Sequence, residues 1–302
     1  MRVLVTGAGG YVGAAVVAAL GARGHEPVAM AYGDATRIPP GVQVRPADLR
    51  DPPSLARAVA GVDAVCHLAG LTRARESWAR PLDYFAVNVG GTVELLRAMA
   101  DAHVDRLVFA STGAIYGSPE RQPMAEELPD AAPHPYASSK VAAEAVLTWE
   151  AARRHLPVAA LRLFNAAGGA DPDQTRIIPR VLSAAAGRTD AFGVNGDGSA
   201  VRDYLHVDDA ADAFVAALAH PPTPGTVRRY NIGSGVGTSI AQVIAAAERV
   251  TGRAVPLRHQ PPADEPQRLV CDPSRAVAEL GWKPSRSDLE TILRDAWAAL
   301  DP

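Results

Sequence analysis

Arg2-Val-Leu-Val-Thr6-Gly7-Ala8-Gly9-Gly10-Tyr11-Val12-Gly13 is the stretch whose reading decides the fold. Arg2–Thr6 has the Val- and Leu-rich character of a buried strand. An amphipathic segment, Tyr11–Arg23, reads as a helix. Between them glycines fall at 7, 10 and 13, with Gly9 extra. Glycine permits a tight turn, lets backbone approach a pyrophosphate and packs helix on strand. The helix N-terminus offers N–H groups and a partial positive charge to phosphate. At this place the pattern points to a dinucleotide site; a purely structural glycine turn is the alternative.

The rhythm continues outward. Pro27–Ala31, Val42–Arg45, Asp63–Leu68, Arg106–Ser111 and Pro157–Arg162 read as further strands, and Pro53–Ala60, Leu82–His103 and Tyr136–His155 as helices. Six strands joined by crossovers predict an α/β fold, a Rossmann-type doubly wound parallel sheet covered on both faces. After about residue 166 Gly and Pro become denser. Short helices are expected at Ile177–Gly187, Val207–His220, Ser239–Thr251, Pro273–Leu280 and Asp288–Leu300, with strands at Asp203–Val207 and Tyr230–Gly233. The expected division is a dinucleotide-binding domain, 1–168 with 201–237 returning to it, and a smaller interleaved substrate-binding lobe, 169–200 and 238–302.

Composition narrows the classes. The 302 residues carry a formal net charge of −3, with arginines scattered rather than blocked, which gives no reason to expect nucleic acid or an anionic membrane. No apolar run approaches the roughly 20 residues of a membrane span, and the segment before Gly7 is too short for a signal peptide. Cys66 and Cys271 sit in apolar contexts without metal-ligand spacing and read as buried thiols. A cytoplasmic protein without a metal is expected. Of 30 basic residues only Lys140 and Lys283 are lysine. In a chain that writes positive charge as Arg, a Lys marks a place where Arg would not serve.

Lys140 closes Tyr136-Ala-Ser-Ser-Lys140, which puts Tyr and Lys on one face at a helix start. A free tyrosine titrates near pH 10. A neighbouring ammonium favours the phenolate, making a general base for a sugar hydroxyl. Ser111 and Thr112 end the fifth strand, where either hydroxyl could bond the reacting oxygen or cap the strand end.

At these residues the chain resembles the extended short-chain dehydrogenase/reductases, and within them the UDP-galactose 4-epimerase-like enzymes. The resemblance runs through TGAGGYVG at 6–13, HLAGLTRARES at 67–77, NVGGT at 88–92, STGAIYG at 111–117, PYASSK at 135–140, RLFNAAG at 162–168, VRDYLHVDDAAD at 201–212, YNIGSG at 230–235 and the DPSRAVAELGWKP ending. It implies catalysis by Thr112, Tyr136 and Lys140. It implies NAD contacts at Gly7, Gly10, Tyr11, Val12, Gly13, Leu68, Ala69, Gly70, Asn88 and Ser111, with Tyr136 and Lys140; Asp48 and Leu49, after the third strand, read either as a cofactor contact at the adenine edge or as an ordinary polar strand end. For a nucleotide-diphosphate sugar it implies Thr112, Tyr136, Asn165, Arg176, Ile177, Phe192 (packing on the base), Arg202, Tyr204 and Leu269. Related dehydratases place an Asp-Glu pair after the Thr and decarboxylases keep a Glu; this chain has Gly113-Ala114. The implied reaction is therefore C4 epimerisation by oxidation to a 4-keto sugar and reduction on the other face. A homodimer through Leu82–His103 and Tyr136–His155 is implied by the resemblance alone.

Two positions depart from the pattern. Ala31 stands where the adenosine-ribose acid usually is, which leaves NADP open beside NAD; Asp34 and Arg37 lie nearby. Pro261-Pro262-Ala263-Asp264-Glu265 replaces an Arg-bearing diphosphate segment, for which Arg258 or Arg268 are substitutes. UDP-hexose is the expected substrate, with ADP, GDP, CDP and dTDP sugars open. The rival readings are an NAD(P)-dependent reductase or a decarboxylase on the same scaffold, and a non-catalytic dinucleotide-binding protein. His67 and His206 read as structural residues, Tyr116 as either a sugar contact or a packed aromatic, and Asp208 and Asp209 as helix caps.

Overall fold

The computed structural model describes residues 1–262 and 266–300. Its strands are β1 (Arg2–Thr6), β2 (Glu26–Ala31), β3 (Gln43–Pro46), β4 (Ala64–His67), β5 (Leu107–Thr112), β6 (Val158–Leu163), β7 (Asn165–Ala167), β8 (Phe192–Asn195), β9 (Val201–His206), β10 (Val227–Ile232), β11 (Gly237–Ser239), β12 (Leu257–Gln260) and β13 (Arg268–Leu269). A seven-stranded sheet runs β10-β6-β5-β4-β1-β2-β3, and every neighbouring pair in it is parallel. Because both faces are covered, β4 and β5 read as unbroken apolar runs and are buried along their full length. Strand order reverses between β1 and β4, and ligands of such sheets bind in the crevice this reversal opens.

Each face has its own core. Val16, Val17 and Leu20 of the helix Tyr11–Ala22 pack with Phe214 and Leu218 of the helix Val207–Ala219 on one side. Leu55, Leu95, Met99 and Leu147, from the helices Pro52–Val59, Gly91–Asp101 and Pro135–Arg154, pack on the other. A third core gathers Val181 and Leu182 of the helix Ile177–Ala185, Phe192 of β8, Val243 of the helix Ile240–Thr251 and Ile292 of the helix Leu289–Ala299.

The expected helix Leu82–His103 is divided: Pro81–Phe85, a wider π turn at Ala86–Gly90, then Gly91–Asp101. Gly90-Gly91 holds the α form weakly, and Asn88 inside the turn bonds Leu71 through both its amide atoms, an energetic reason for the extra residue. Of the stretch 201–237, the helix Val207–Ala219 and β10 join the large sheet's layers, whereas β9 lies in a separate sheet with β11, β13 and β7. Asp203 explains this placement. Its buried carboxylate accepts the N–H groups of Ser234, Gly235 and Cys271, tying β9 to the loops on either side of β11 and β13. Burial pushes its pKa up against those bonds. The short strands β7, β8, β11, β12 and β13 have no sequence signature of their own.

One buried ionic cluster joins the layers. Glu144, on the helix Pro135–Arg154, accepts two bonds from Arg162 of β6 at 3.1 and 2.8 Å and one from Arg229 of β10 at 2.7 Å. Burial works against its charge, but these guanidinium bonds and the Ser111 hydroxyl outweigh it and hold the carboxyl below the usual range. Arg162 also donates to the Tyr116 hydroxyl and to Asp130. Glu144→Ala strands Arg162, only 2 % exposed, without its main counter-charge. We expect a loss of about 3–5 kcal/mol in unfolding free energy by urea titration. A loss below about 1 kcal/mol, as for a surface pair, would contradict this account.

Candidate active site

The glycine turn is shaped by close approach. Gly7 has φ +70°, and a Cβ there would stand 2.8 Å from the Ala69 nitrogen. A Cβ on Gly13 would meet the Gly7 carbonyl oxygen at 2.1 Å, so helix and turn are in direct backbone contact. The extra Gly9 has a role too: its Cβ position lies 2.2 Å from the Asp34 carbonyl oxygen, which seats the loop after β2 against the turn. Gly10 caps the helix with no side-chain bond, and its first turn holds no acid. The free N–H groups suit a pyrophosphate, so this turn fits a dinucleotide. Val12 packs inward from the turn, while Tyr11 donates from its hydroxyl to the Gly168 carbonyl just after β7.

At the adenosine end, Ala31 closes β2, and Tyr32 is exposed beneath the Arg50 guanidinium, 5.8 Å from its ring centre. Asp48 accepts two side-chain bonds from Arg50, which hold its carboxyl below its ordinary pKa. Leu49 packs on the space beside Gly91. Asp34 caps Thr36 with its carboxylate exposed.

Beneath the expected nicotinamide, hydrogen bonds determine one another. The Thr6 hydroxyl accepts the Leu68 and Ala69 N–H groups, so it donates to His67 Nδ1 at 2.8 Å. The Thr92 hydroxyl donates to the Asn88 carbonyl, so it accepts from His67 Nε2 at 3.0 Å. His67 is therefore neutral with its proton on Nε2. Burial, and secondarily the Lys140 charge, lowers its pKa to about 3. Both ring nitrogens are used, so His67 is structural, as its sequence context suggests. Asn88 also donates to the Ser139 hydroxyl, which donates to the Tyr136 carbonyl. Gly70 lies against this floor, its Cβ position 2.7 Å from Asn88 Oδ1 and 3.8 Å from Lys140 Nζ.

The structure brings Thr112 and Tyr136 within hydrogen-bonding reach of each other. Thr112 also caps the turn Gly113–Tyr116, accepting the Ala114 N–H at 3.2 Å. Burial raises the Tyr136 pKa; the Thr112 bond and the Arg176 charge pull it back. Two side chains beside the pair have partners that the sequence did not show. The Lys140 ammonium donates to the Ala110 carbonyl at 2.9 Å, above the Phe109 ring. Ser111 does not offer its hydroxyl to a reacting oxygen, because strand alternation turns it away from Thr112 and it donates to Glu144.

On the substrate side, Asn165 bonds the Asp203 carbonyl through its amide nitrogen, fixing which atom stays outward. Arg176 lies over the Tyr11 ring at 5.7 Å and pairs with Asp171, and Ile177 follows it into the third core. Register puts Leu269 opposite Arg202 and thus on one face of the small sheet with Tyr204, while Arg268 faces the other way beside Gly237. Arg202 donates to the Pro266 carbonyl. Arg268 therefore does not stand in on the Arg202 face, and Arg258 is exposed on β12. Residues 263–265 of the departing segment lie outside the described residues. Phe192, expected to pack on a base, is only 2 % exposed within the third core, and the Arg180 guanidinium covers its ring at 4.9 Å. A base arriving there meets the guanidinium first. Sequence reading passed over Arg180, His134 and Glu144; Glu144 alone carried a signal, at four residues beyond Lys140 on the same helical face.

A Rossmann sheet whose switch-point turn is bare of side chains, with a Tyr-x-x-x-Lys helix beside it, defines a dinucleotide-dependent enzyme of sugar or alcohol carbons. The chain belongs to the NAD dependent epimerase/dehydratase family, whose model matches residues 3–233. It is similar to the UDP-glucose 4-epimerase of Streptomyces lividans, 38% identical over 98% of this chain and 95% of that one. Among solved structures it resembles UDP-glucose-4-epimerase from Stenotrophomonas maltophila with bound NAD and formylated UDP-arabinopyranose (36% identity, TM-score 0.93, covering 99% and 97% of the two chains). The Brucella ovis UDP-glucose 4-epimerase in complex with NAD is also similar (34% identity, TM-score 0.92, 98% and 97%).

Burial lowers Lys140 from 10.5 to about 8, partly offset by Glu144. Between those values the unfolded chain holds a proton the folded chain lacks, so stability rises with pH there, and below about 8 the buried ammonium's cost is fully present. Lys140→Met is expected to leave nucleotide-free protein at least as resistant to urea at pH 7 as the wild type, to abolish the rise between pH 8 and 10, and to lose turnover. A variant much less stable at pH 7 would overturn this reading of the lysine.

Proposed function

We infer that the chain is a nucleotide-sugar 4-epimerase that works with NAD, with UDP-hexose as substrate. The observation that carries the reaction type lies after Thr112. A Cβ on Gly113 would stand 2.7 Å from the Phe164 ring, so that position has no room for an acidic side chain, and Ala114 supplies none. The site then has one acid–base system, Tyr136 with Thr112, which suits removal and return of hydrogen at one carbon. The relatives named above as UDP-glucose 4-epimerases support UDP.

Bound NAD supplies the site's hydride acceptor and donor. The glycine turn and helix N-terminus would hold its pyrophosphate, and Asn88, Gly70 and Lys140 would border the nicotinamide. In our reading Tyr136 takes the C4 hydroxyl proton and returns it after the hydride has come back on the other face. Thr112 keeps the oxygen in line. Lys140, held by the Ala110 carbonyl, would border the cofactor and favour the Tyr136 phenolate from the same helix, and the Arg176 charge lowers the Tyr136 pKa further. Arg202 and Tyr204 grip the diphosphate, and the 4-keto sugar turns beneath Leu269.

We further propose the division into 1–168 with 201–237, and 169–200 with 238–302, as binding domain and substrate lobe. We also propose a cytoplasmic homodimer; the exposed apolar side chains Trp78, Leu82, Phe85 and Trp149 would suit a dimer interface. Among the described residues no helix is long and apolar enough to cross a membrane.

Incubation with UDP-, ADP-, GDP-, CDP- and dTDP-hexoses, followed by NMR without added reductant, is expected to give the C4 epimer of a UDP-hexose. Carbon dioxide release or consumption of added NAD(P)H would instead indicate a decarboxylase or reductase. Tyr136→Phe is expected to keep the fold and bound NAD while losing at least about 100-fold in turnover. Near-wild-type turnover would remove Tyr136 as the base.

A further inference from the structure

Tyr136 stands at the second position of its helix, and the residue before Pro135 touches it twice. His134 is extended, with φ −156°, and its Nδ1 accepts the Ala137 N–H at 3.1 Å, capping the helix. Its ring lies nearly parallel to the Tyr136 ring, 14° between planes and 5.8 Å between centres. The Tyr84 ring also meets Tyr136 edge-on, at 6.3 Å and 72°. Tyr84 is itself anchored, donating from its hydroxyl to the Arg73 carbonyl at 2.7 Å.

We propose that His134 is a positioning residue for Tyr136, acting only as the neutral imidazole. This rests on the reading of Tyr136 as the base. Ser, Thr, Asn or Asp would satisfy the Ala137 N–H equally well. Only an aromatic acceptor can bond that N–H and also lay a flat face against the phenol. The two contacts are mechanically one, since the same ring makes both and Pro135 restricts the backbone between them. Contacts to both His134 and Tyr84 hold the phenol in place beside Thr112.

Protonation ends this arrangement. In the imidazolium both nitrogens are donors, so Nδ1 loses the Ala137 bond and the ring is released from the helix start. Burial already disfavours that form. The groups facing the pair are few. Tyr84 comes from the helix Pro81–Phe85 and is itself pushed up by burial; Arg176, at the start of the helix Ile177–Ala185, acts on Tyr136. Beyond Tyr84 lie Glu76, Arg80 and Arg73. Glu76 is paired with Arg80 at 2.9 Å on the surface.

The test uses the full-length NAD-loaded enzyme with UDP-galactose. His134→Asn keeps a capping acceptor and removes the ring; His134→Phe keeps a ring and removes the acceptor. For His134→Asn we expect an unchanged Tm, KM within about twofold, and kcat down about three- to tenfold, the worth of one aromatic pair. The wild-type kcat should also fall more steeply from pH 6.5 to 5 than that of His134→Asn. His134→Phe should melt lower yet keep more of the wild-type kcat than His134→Asn. Wild-type kcat and pH profile in His134→Asn, with Tyr136→Phe inactive, would overturn the proposal and leave the base assignment standing. Activity retained in both His134→Asn and Tyr136→Phe would overturn both.

Discussion

The buried Glu144 carboxylate is the interaction on which the rest of the site depends. It sits on the helix that presents Tyr136 and Lys140, and its partners lie on three neighbouring strands: Ser111 on β5, Arg162 on β6 and Arg229 on β10. A helix packed only by Val and Leu side chains could slide or roll by a fraction of an ångström at little cost. A charge held by directional bonds from three strands cannot, because each lost bond leaves a charged group buried. The cluster therefore fixes where the helix lies over the sheet, and with it the distance from Tyr136 to Thr112. It also turns Ser111 away from the reaction and adds a negative charge on Lys140's side that keeps the ammonium from being lowered further.

A second, neutral network completes the floor. Thr6, His67, Thr92, Asn88 and Ser139 form a chain in which each donor leaves its neighbour one role. It links β1, β4 and the two long helices through the switch point. The neutral His67 suits a site meant to receive a cofactor that becomes cationic, since an imidazolium beneath it would repel that charge. Tyr11 joins the glycine turn to the chain after β7, through its bond to Gly168 and the Arg176 guanidinium over its ring. Positions that serve the phosphate turn on one side thus orient a charge facing the substrate on the other.

Most of the architecture was legible because its signals are local. Alternating Val-rich runs and amphipathic segments, punctuated by Gly, Asp and Pro, locate most strands of the large sheet and its helices to within a residue or two, although β10 begins three residues before the expected Tyr230 and the expected helix Leu82–His103 is divided. The short strands of the smaller lobe were mostly not legible, since three or four residues pairing across the chain carry no periodicity of their own. Asp203 shows why: its sequence neighbours say nothing of the loop amides at 234, 235 and 271 that it collects.

The sequence by itself determined the glycine turn, the Tyr136–Lys140 pair, the Thr112 strand end and the want of an acid after it, because each depends on residue type at short spacing. Only the tertiary structure decided what those groups face. Lys140 bonds the Ala110 carbonyl, Ser111 belongs to Glu144, Phe192 lies under Arg180, and Tyr136 leans on His134. Direction and burial are set by neighbours that are distant in the chain, and a side chain's charge state follows the partners it can reach rather than its own chemistry alone.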